Sequence, residues 1–166
     1  MSAGLQRIAA VGAGRMGRGI AIAFAYAGHQ VALVDIKPRD AASSERLKQE
    51  SLGEIGSSLA MLASLGMFDP AQVEPIMARV RFVGRDGAAA ALAEADTVFE
   101  GVPEVLDAKR EAFEFIGRHA RADATVASTT STILVTELAA FITHPGRLLN
   151  AHWLNPAYIV PLVELS

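Results

Sequence analysis

Apolar residues in this chain come in two kinds of spacing that alternate along its length. Ile8-Ala9-Ala10-Val11 and Val31-Ala32-Leu33-Val34 are short unbroken apolar runs, the length and character of strands buried on both faces. The stretch between them opens at a glycine turn and closes at Gly28-His29, which predicts a helix with a left-handed cap. From Arg39 to Met67 the spacing lengthens, with Leu47, Leu52, Ile55, Leu59 and Leu62 at three- and four-residue steps. That pattern predicts a long helix, and Asp69-Pro70 opens a shorter one through Ala78. Arg81-Phe82-Val83 reads as a third strand, Asp86 to Ala95 as an alanine-rich helix, and Thr97 to Val102 as a fourth strand. Leu106 to His119 follows as a helix with Lys109, Arg110 and Glu114 outward. Thr125 to Ser128 is a fifth strand, Thr132 to Ile142 a helix, Arg147 to His152 a sixth strand, and Ile159 to Leu165 a last extended run. Strands separated by helices require a mostly parallel sheet covered on both faces, with ligands at the carboxyl ends of the strands. The helical segment after the second strand is longer than a simple crossover needs.

The turn between the first strand and helix is Gly12-Ala13-Gly14-Arg15-Met16-Gly17, a G-x-G-x-x-G placed between a strand and a helix start. In that context Gly12 permits the sharp turn, Gly14 lets a pyrophosphate approach the backbone, and Gly17 lets the helix pack close to the strand. The helix start presents free N–H groups and the positive end of its dipole. Asp35 ends the second strand roughly 20 residues further on, where a carboxylate accepts from a ribose 2′-hydroxyl and repels a 2′-phosphate. The pattern predicts a doubly wound α/β domain of Rossmann type with a helical insertion after strand 2, binding NAD in preference to NADP. Lys37 and Arg39 stand close to that acid, and a strand-end Asp that merely starts a turn is the plainer alternative.

Composition narrows this only at the margins. A chain of 166 residues that is 51% hydrophobic suits one domain, taken here as residues 1–166. The net charge of −3 and the scattered Lys and Arg give no stripe for nucleic acid. Without cysteine there is neither disulfide nor thiolate chemistry, which is compatible with a reducing compartment. The longest apolar stretch, Ile20 to Ala27, is too short to span a bilayer, and no signal-peptide pattern precedes the glycine turn. A cytoplasmic protein that binds a small molecule, and neither nucleic acid nor membrane, is expected.

Three polar clusters follow predicted strands. Glu100-Gly101-Val102-Pro103-Glu104, with Lys109 beyond, reads either as a site or as a polar loop. In Ser128-Thr129-Thr130-Ser131-Thr132 the residues before Ile133 serve equally as helix caps. His152-Trp153-Leu154-Asn155-Pro156 is followed twelve residues after the His by Glu164, and a His with a carboxylate partner makes an acid–base pair. No His, Asp and Glu cluster has metal-ligand spacing, so no metal is predicted.

Together VGAGRMGRGIA, ALVD, EGVPEVLDAK, ASTTSTI and AHWLNPAYIVPLVEL resemble the NAD-binding domain of the 3-hydroxyacyl-CoA dehydrogenase family through nearly the whole chain. The resemblance implies that Gly12, Gly14, Arg15, Met16 and Gly17 bind the cofactor at the pyrophosphate and Asp35 at the adenosine ribose, with Glu104 and Lys109 on the nicotinamide side. It implies that Ser131 bonds the substrate's 3-oxygen, that His152 and a buried Glu164 form the catalytic pair, and that Asn155 braces them. The reaction implied is oxidation of a 3-hydroxyl in fatty acid metabolism. It further implies a helical C-terminal domain, absent from this chain, that completes the substrate site and makes a homodimer, so that this domain by itself is a binding module of low or no activity.

Thr129 stands where the family often has asparagine. Pro161-Leu162-Val163-Glu164 is similar to the lambda-crystallin and carnitine dehydrogenase relatives, whose hydroxy acids carry no CoA. The segment Ser51 to Ala78 contains no Lys or Arg to meet CoA phosphates. A free hydroxy acid is therefore the alternative substrate.

Overall fold

The computed structural model describes residues 4–166. Its strands are β1 (Arg7–Val11), β2 (Gln30–Val34), β3 (Val80–Val83), β4 (Thr97–Glu100), β5 (Thr125–Ser128), β6 (Leu148–Trp153) and β7 (Val163–Leu165), in the order β3-β2-β1-β4-β5-β6-β7. Pairing is parallel from β3 across to β6, and β7 runs antiparallel to β6. The helices are α1 (Arg15–Tyr26), α2 (Ala41–Ser64), α3 (Val73–Met77), α4 (Arg85–Glu94), α5 (Leu106–His119) and α6 (Val135–Leu138). The chain winds outward from β1 through β2 and β3, then returns to the other side of β1 at β4. That reversal opens a crevice at the carboxyl ends of β1 and β4, and the expected doubly wound α/β architecture is borne out.

Strand alternation distributes β1 between two cores. Ile8 and Ala10 join Leu33 and Phe99 on one face, beneath Ile20 and Ile22 of α1 and Ile55, Leu59 and Leu62 of α2. Ala9 and Val11 join Val34 and Val98 on the other, beneath Ala88 and Leu92 of α4 and Phe113 and Ile116 of α5. The long insertion is thus a helix with one apolar stripe, and its start is fixed by Asp40, whose side chain accepts from the Ser43 amide at 2.7 Å.

The glycine turn is held by close backbone approaches. Gly12 has φ +103°, and a Cβ there would stand 2.8 Å from the Gly101 carbonyl oxygen at the end of β4. A Cβ on Gly17 would stand 1.8 Å from the Gly12 carbonyl oxygen and 3.2 Å from Leu33 Cδ1. Gly14 differs, since nothing lies within 4 Å of the position its Cβ would take. Gly17 is therefore required by packing, and Gly14 leaves open space.

Three elements are shorter than their patterns predict, and one is the last run, expected over Ile159 to Leu165, which pairs only as β7 because the Ile159 and Val160 amides turn back to the Pro156 carbonyl. The strand expected over Thr97 to Val102 ends at Glu100, because the Val102 amide turns back to donate to Glu100 Oε1 at 2.9 Å. The helix expected over Thr132 to Ile142 shrinks to α6 and a 3₁₀ turn at Ala139–Phe141. Residues 131–134 form a loop instead, anchored on side chains: Ser131 N and Thr132 N donate to Glu104, and Ile133 N donates to Thr130 Oγ1.

Gly17→Ala is expected to lower unfolding stability by about 2 kcal/mol or more through forced displacement of the turn, and Gly14→Ala to change it by less than about 0.5 kcal/mol. Urea melts of both variants check this contrast.

Candidate active site

The crevice between β1 and β4 is a cleft of about 940 Å³. Gly12, Gly14, Arg15 and Met16 line one wall, Asp35 one end, and Glu104 and Ser131 the other. The amino end of α1 faces this space with Gly14 as its N-cap, and no side chain caps it. Its first amides are consequently free to donate to an anion, as a pyrophosphate site needs. Asp35 follows β2 directly and is 5% exposed, held by the bond from its own N–H to the Val83 carbonyl. The open ground above Gly14, the uncapped helix and the acid at the next strand end fit a dinucleotide.

Glu104 organises the far end of the cleft. One carboxylate oxygen accepts from Thr130 Oγ1 at 2.5 Å, Ser131 N at 3.0 Å, and Thr132 N and Oγ1 at 3.1 Å each. Lys109 Nζ lies 3.1 Å from the other oxygen and 3.0 Å from Glu100 Oε2, so one ammonium joins two carboxylates. Ser128 Oγ donates to Glu100 Oε2 at 2.7 Å. Burial pushes Glu100 above the ordinary carboxylate range, an effect that Lys109 and Ser128 oppose. For Glu104 burial is outweighed by the bonds from Thr130 and Thr132 and by the Lys109 charge, and its pKa falls to about 2.

Lys109 does not point outward. It is 0% exposed and lies on the same face of α5 as Ala112, Phe113 and Ile116. It does not line the cleft, and reaches it only through Glu104. Arg110 and Glu114 are exposed as expected.

His152 and Glu164 face each other as register partners of the antiparallel β6–β7 pair. Their contact, Nδ1 to Oε2, is 2.8 Å. Beside His152, Trp153 packs against Phe24 and Phe99 at centroid distances of 6.0 and 5.9 Å, which anchors the strand end. Glu164 is not buried: its side chain is 65% exposed among the described residues, because only β6 flanks the three-residue β7. Asn155 is exposed and has no side-chain hydrogen bond among the described residues. Neither His152, Glu164 nor Asn155 lines the cleft. Ser128 of β5 pairs with Asn150 of β6, so Ser131 and His152 both lie beyond the end of β5, at the carboxyl edge of the sheet.

Sequence reasoning left Glu100 without a role, and it did not find Arg85 and Phe115, which line the cleft near Ile36. Arg85 Nη1 donates to the Ile36 carbonyl, and its guanidinium lies 5.7 Å from the Phe115 ring centroid. Glu100 was detectable as an acid closing an otherwise apolar strand. Arg85 and Phe115 carry no local pattern that marks them. Among the described residues no helix is long and apolar enough to cross a membrane, and no His, Asp and Glu group is arranged to hold a metal ion.

Fold and cleft place this chain in the class of dinucleotide-binding α/β domains. Within that class it belongs to the 3-hydroxyacyl-CoA dehydrogenase family, since residues 7–166 match the model of that family's NAD binding domain. It is 35% identical to a 5-formyl-3-hydroxy-2-methylpyridine 4-carboxylate 5-dehydrogenase of Mesorhizobium japonicum, over 97% of this chain and 48% of that protein. It is 34% identical to a 3-hydroxybutyryl-CoA dehydrogenase of Bradyrhizobium diazoefficiens, over 99% of this chain and 53% of the relative. An L-carnitine dehydrogenase/betainyl-CoA thioesterase of Rhizobium meliloti is 33% identical over 97% of this chain and 30% of its own length. The crystal structure of an (S)-3-hydroxybutyryl-CoA dehydrogenase from Ralstonia eutropha superimposes with a TM-score of 0.86 at 30% identity, over 98% of this chain and 54% of that one. The chain thus spans about half the length of the first two relatives. NAD is the cofactor of the family's domain, as the glycine turn and Asp35 indicated.

A carboxylate held near pKa 2 stabilises the fold fully above its unfolded value of 4.5, and loses that contribution as pH falls from there towards 2. The stability gap between the natural chain and Glu104→Gln is expected to be open at pH 7 and to close over that acid window, as thermal melts at stepped pH will show.

Proposed function

We propose that the protein oxidises the 3-hydroxyl of a 3-hydroxyacyl-CoA to a ketone, reversibly, with His152 and Glu164 as its acid–base pair. The observation that carries this reading is the 2.8 Å contact between His152 and Glu164 at the carboxyl edge of the sheet. When bound, NAD⁺ supplies the hydride acceptor. Glu164 accepts from Nδ1–H of His152, which selects the tautomer whose Nε2 is free to take the hydroxyl proton. In the reverse direction the imidazolium returns that proton, and the carboxylate stabilises the charged ring while it exists. Ser131, whose amide is fixed by Glu104, bonds the substrate's 3-oxygen, and Asn155 braces the pair. Gly12 to Gly17 and Asp35 hold the pyrophosphate and adenosine ribose. Glu104, with Lys109 behind it, faces the nicotinamide.

The same reading assigns this chain to the NAD-binding domain and gives the whole enzyme a second, helical domain that covers the substrate edge and forms a homodimer. The exposure of Glu164 supports a cover there, as does exposed Leu154, Ile159, Leu162 and Leu165 in the same stretch. The proposed compartment is the cytoplasm, with which a cysteine-free chain is compatible.

A free hydroxy acid as substrate is the second reading. It is favoured by the Pro161-Leu162-Val163-Glu164 segment, by the absence of Lys and Arg from Ser51 to Ala78, and by the carnitine dehydrogenase relative.

NADH formation, followed in parallel with 3-hydroxybutyryl-CoA, carnitine and gulonate, separates the readings. Response to the CoA ester alone supports the first, and response to a free acid alone replaces it with the second. If NAD binds and no substrate responds, the domain is a module that needs its second half. In an active preparation His152→Ala is expected to lower turnover on the order of 10²-fold or more and to leave NADH affinity nearly unchanged. Equal loss of both would remove His152 from the chemistry.

A further inference from the structure

The adenosine end of the cleft holds a cation in direct contact with its acid. Arg39 Nε donates to Asp35 Oδ2 at 2.5 Å, while the Lys37 amide approaches Oδ1 at 3.4 Å. Asp35 is buried and the Arg39 side chain is 32% exposed; both line the cleft. The position of Arg39 is fixed from both sides, by Pro38 before it and by Asp40 after it, whose carboxylate is bonded to the amide and hydroxyl of Ser43. A guanidinium has five N–H donors in a rigid fork. Arg39 spends one on Asp35, and its two terminal nitrogens have no protein partner among the described residues.

This arrangement alters the usual effect of an acid at the end of the second strand. Asp35 discriminates against a 2′-phosphate by like-charge repulsion, and that repulsion is largely cancelled by a guanidinium already bonded to it. Oδ1 remains available to a ribose hydroxyl, and the free terminal nitrogens of Arg39 match the oxygens of a phosphate. Lys37 lines the same end of the cleft. Further along, the cleft is lined by Arg85 and Arg118 and by Glu111 and Glu114, while Asp35, Lys37 and Arg39 follow one another at the end of β2.

We propose that Arg39 is a specificity residue that lets this domain accept the 2′-phosphorylated dinucleotide NADP(H) beside NAD(H). The proposal deepens the dinucleotide reading of the cleft and depends on it.

The test is titration of the chain with NADH and with NADPH, followed by nicotinamide fluorescence, for the natural sequence, Arg39→Met and Arg39→Gln. The natural chain is expected to bind NADPH within about tenfold of NADH. Loss of the charged donor is expected to weaken NADPH about tenfold or more while NADH stays within about twofold, since one charge-assisted phosphate contact is worth that much. Retained NADH binding shows that each variant is folded, and the Gln variant repeats the measurement if the Met variant is unstable. The proposal is overturned if the natural chain binds NADPH more than about a hundredfold more weakly than NADH, or if both variants change the two affinities equally or not at all. Failure of the natural chain to bind NADH would instead overturn the dinucleotide reading itself, and the proposal with it.

Discussion

Helix α1 can begin where it does because Gly17 has no side chain. A methyl group there would stand 1.8 Å from the Gly12 carbonyl oxygen, and one on Gly12 would stand 2.8 Å from that of Gly101. These approaches bring the end of β1, the start of α1 and the end of β4 to a single point. The consequences reach function directly, because that junction puts free amides of α1 at the bottom of the cleft, with open space above Gly14. Packing at one glycine thus makes room for a ligand at another.

The second organising element is ionic. Lys109 is enclosed by protein and bonded to Glu100 and Glu104, an arrangement in which desolvation is offset only while every partner is present. Its effect is positional: Glu104 gathers Thr130, Ser131 and Thr132 into a tight loop and so fixes Ser131, the residue proposed to meet the substrate oxygen. Charge buried under the β4–α5 connection thereby sets the shape of the loop after β5.

Features written in local patterns were legible in the sequence. The order of strands and helices followed from apolar spacing, and the cleft from the glycine turn and Asp35. The His152–Glu164 contact depends on strand register, yet the two residue types pointed to it. What escaped depended on partners that no local period connects. Lys109 was assigned to solvent by residue type, although it lies three and four positions before Ala112 and Phe113 and so shares their buried face. Only Glu100 at the end of β4 and Glu104 in the connection after it make that burial tolerable. The loop that replaces the first turns of the helix after β5 was not legible for a similar reason, since it is gathered around Glu104 from 26 to 28 positions away. The exposure of Glu164 follows from the place of β7 at the sheet edge, flanked by β6 alone.

Amide hydrogen exchange with and without NAD⁺ reports directly on whether the junction of β1, α1 and β4 forms a dinucleotide cleft. A dinucleotide bound there slows exchange in segments 12–17, 35–39 and 101–104, at the carboxyl ends of β1, β2 and β4. Segments 79–81 and 91–95, at the opposite edge of the sheet, should be unchanged. Protection at the opposite edge, or none at the glycine turn, would contradict it.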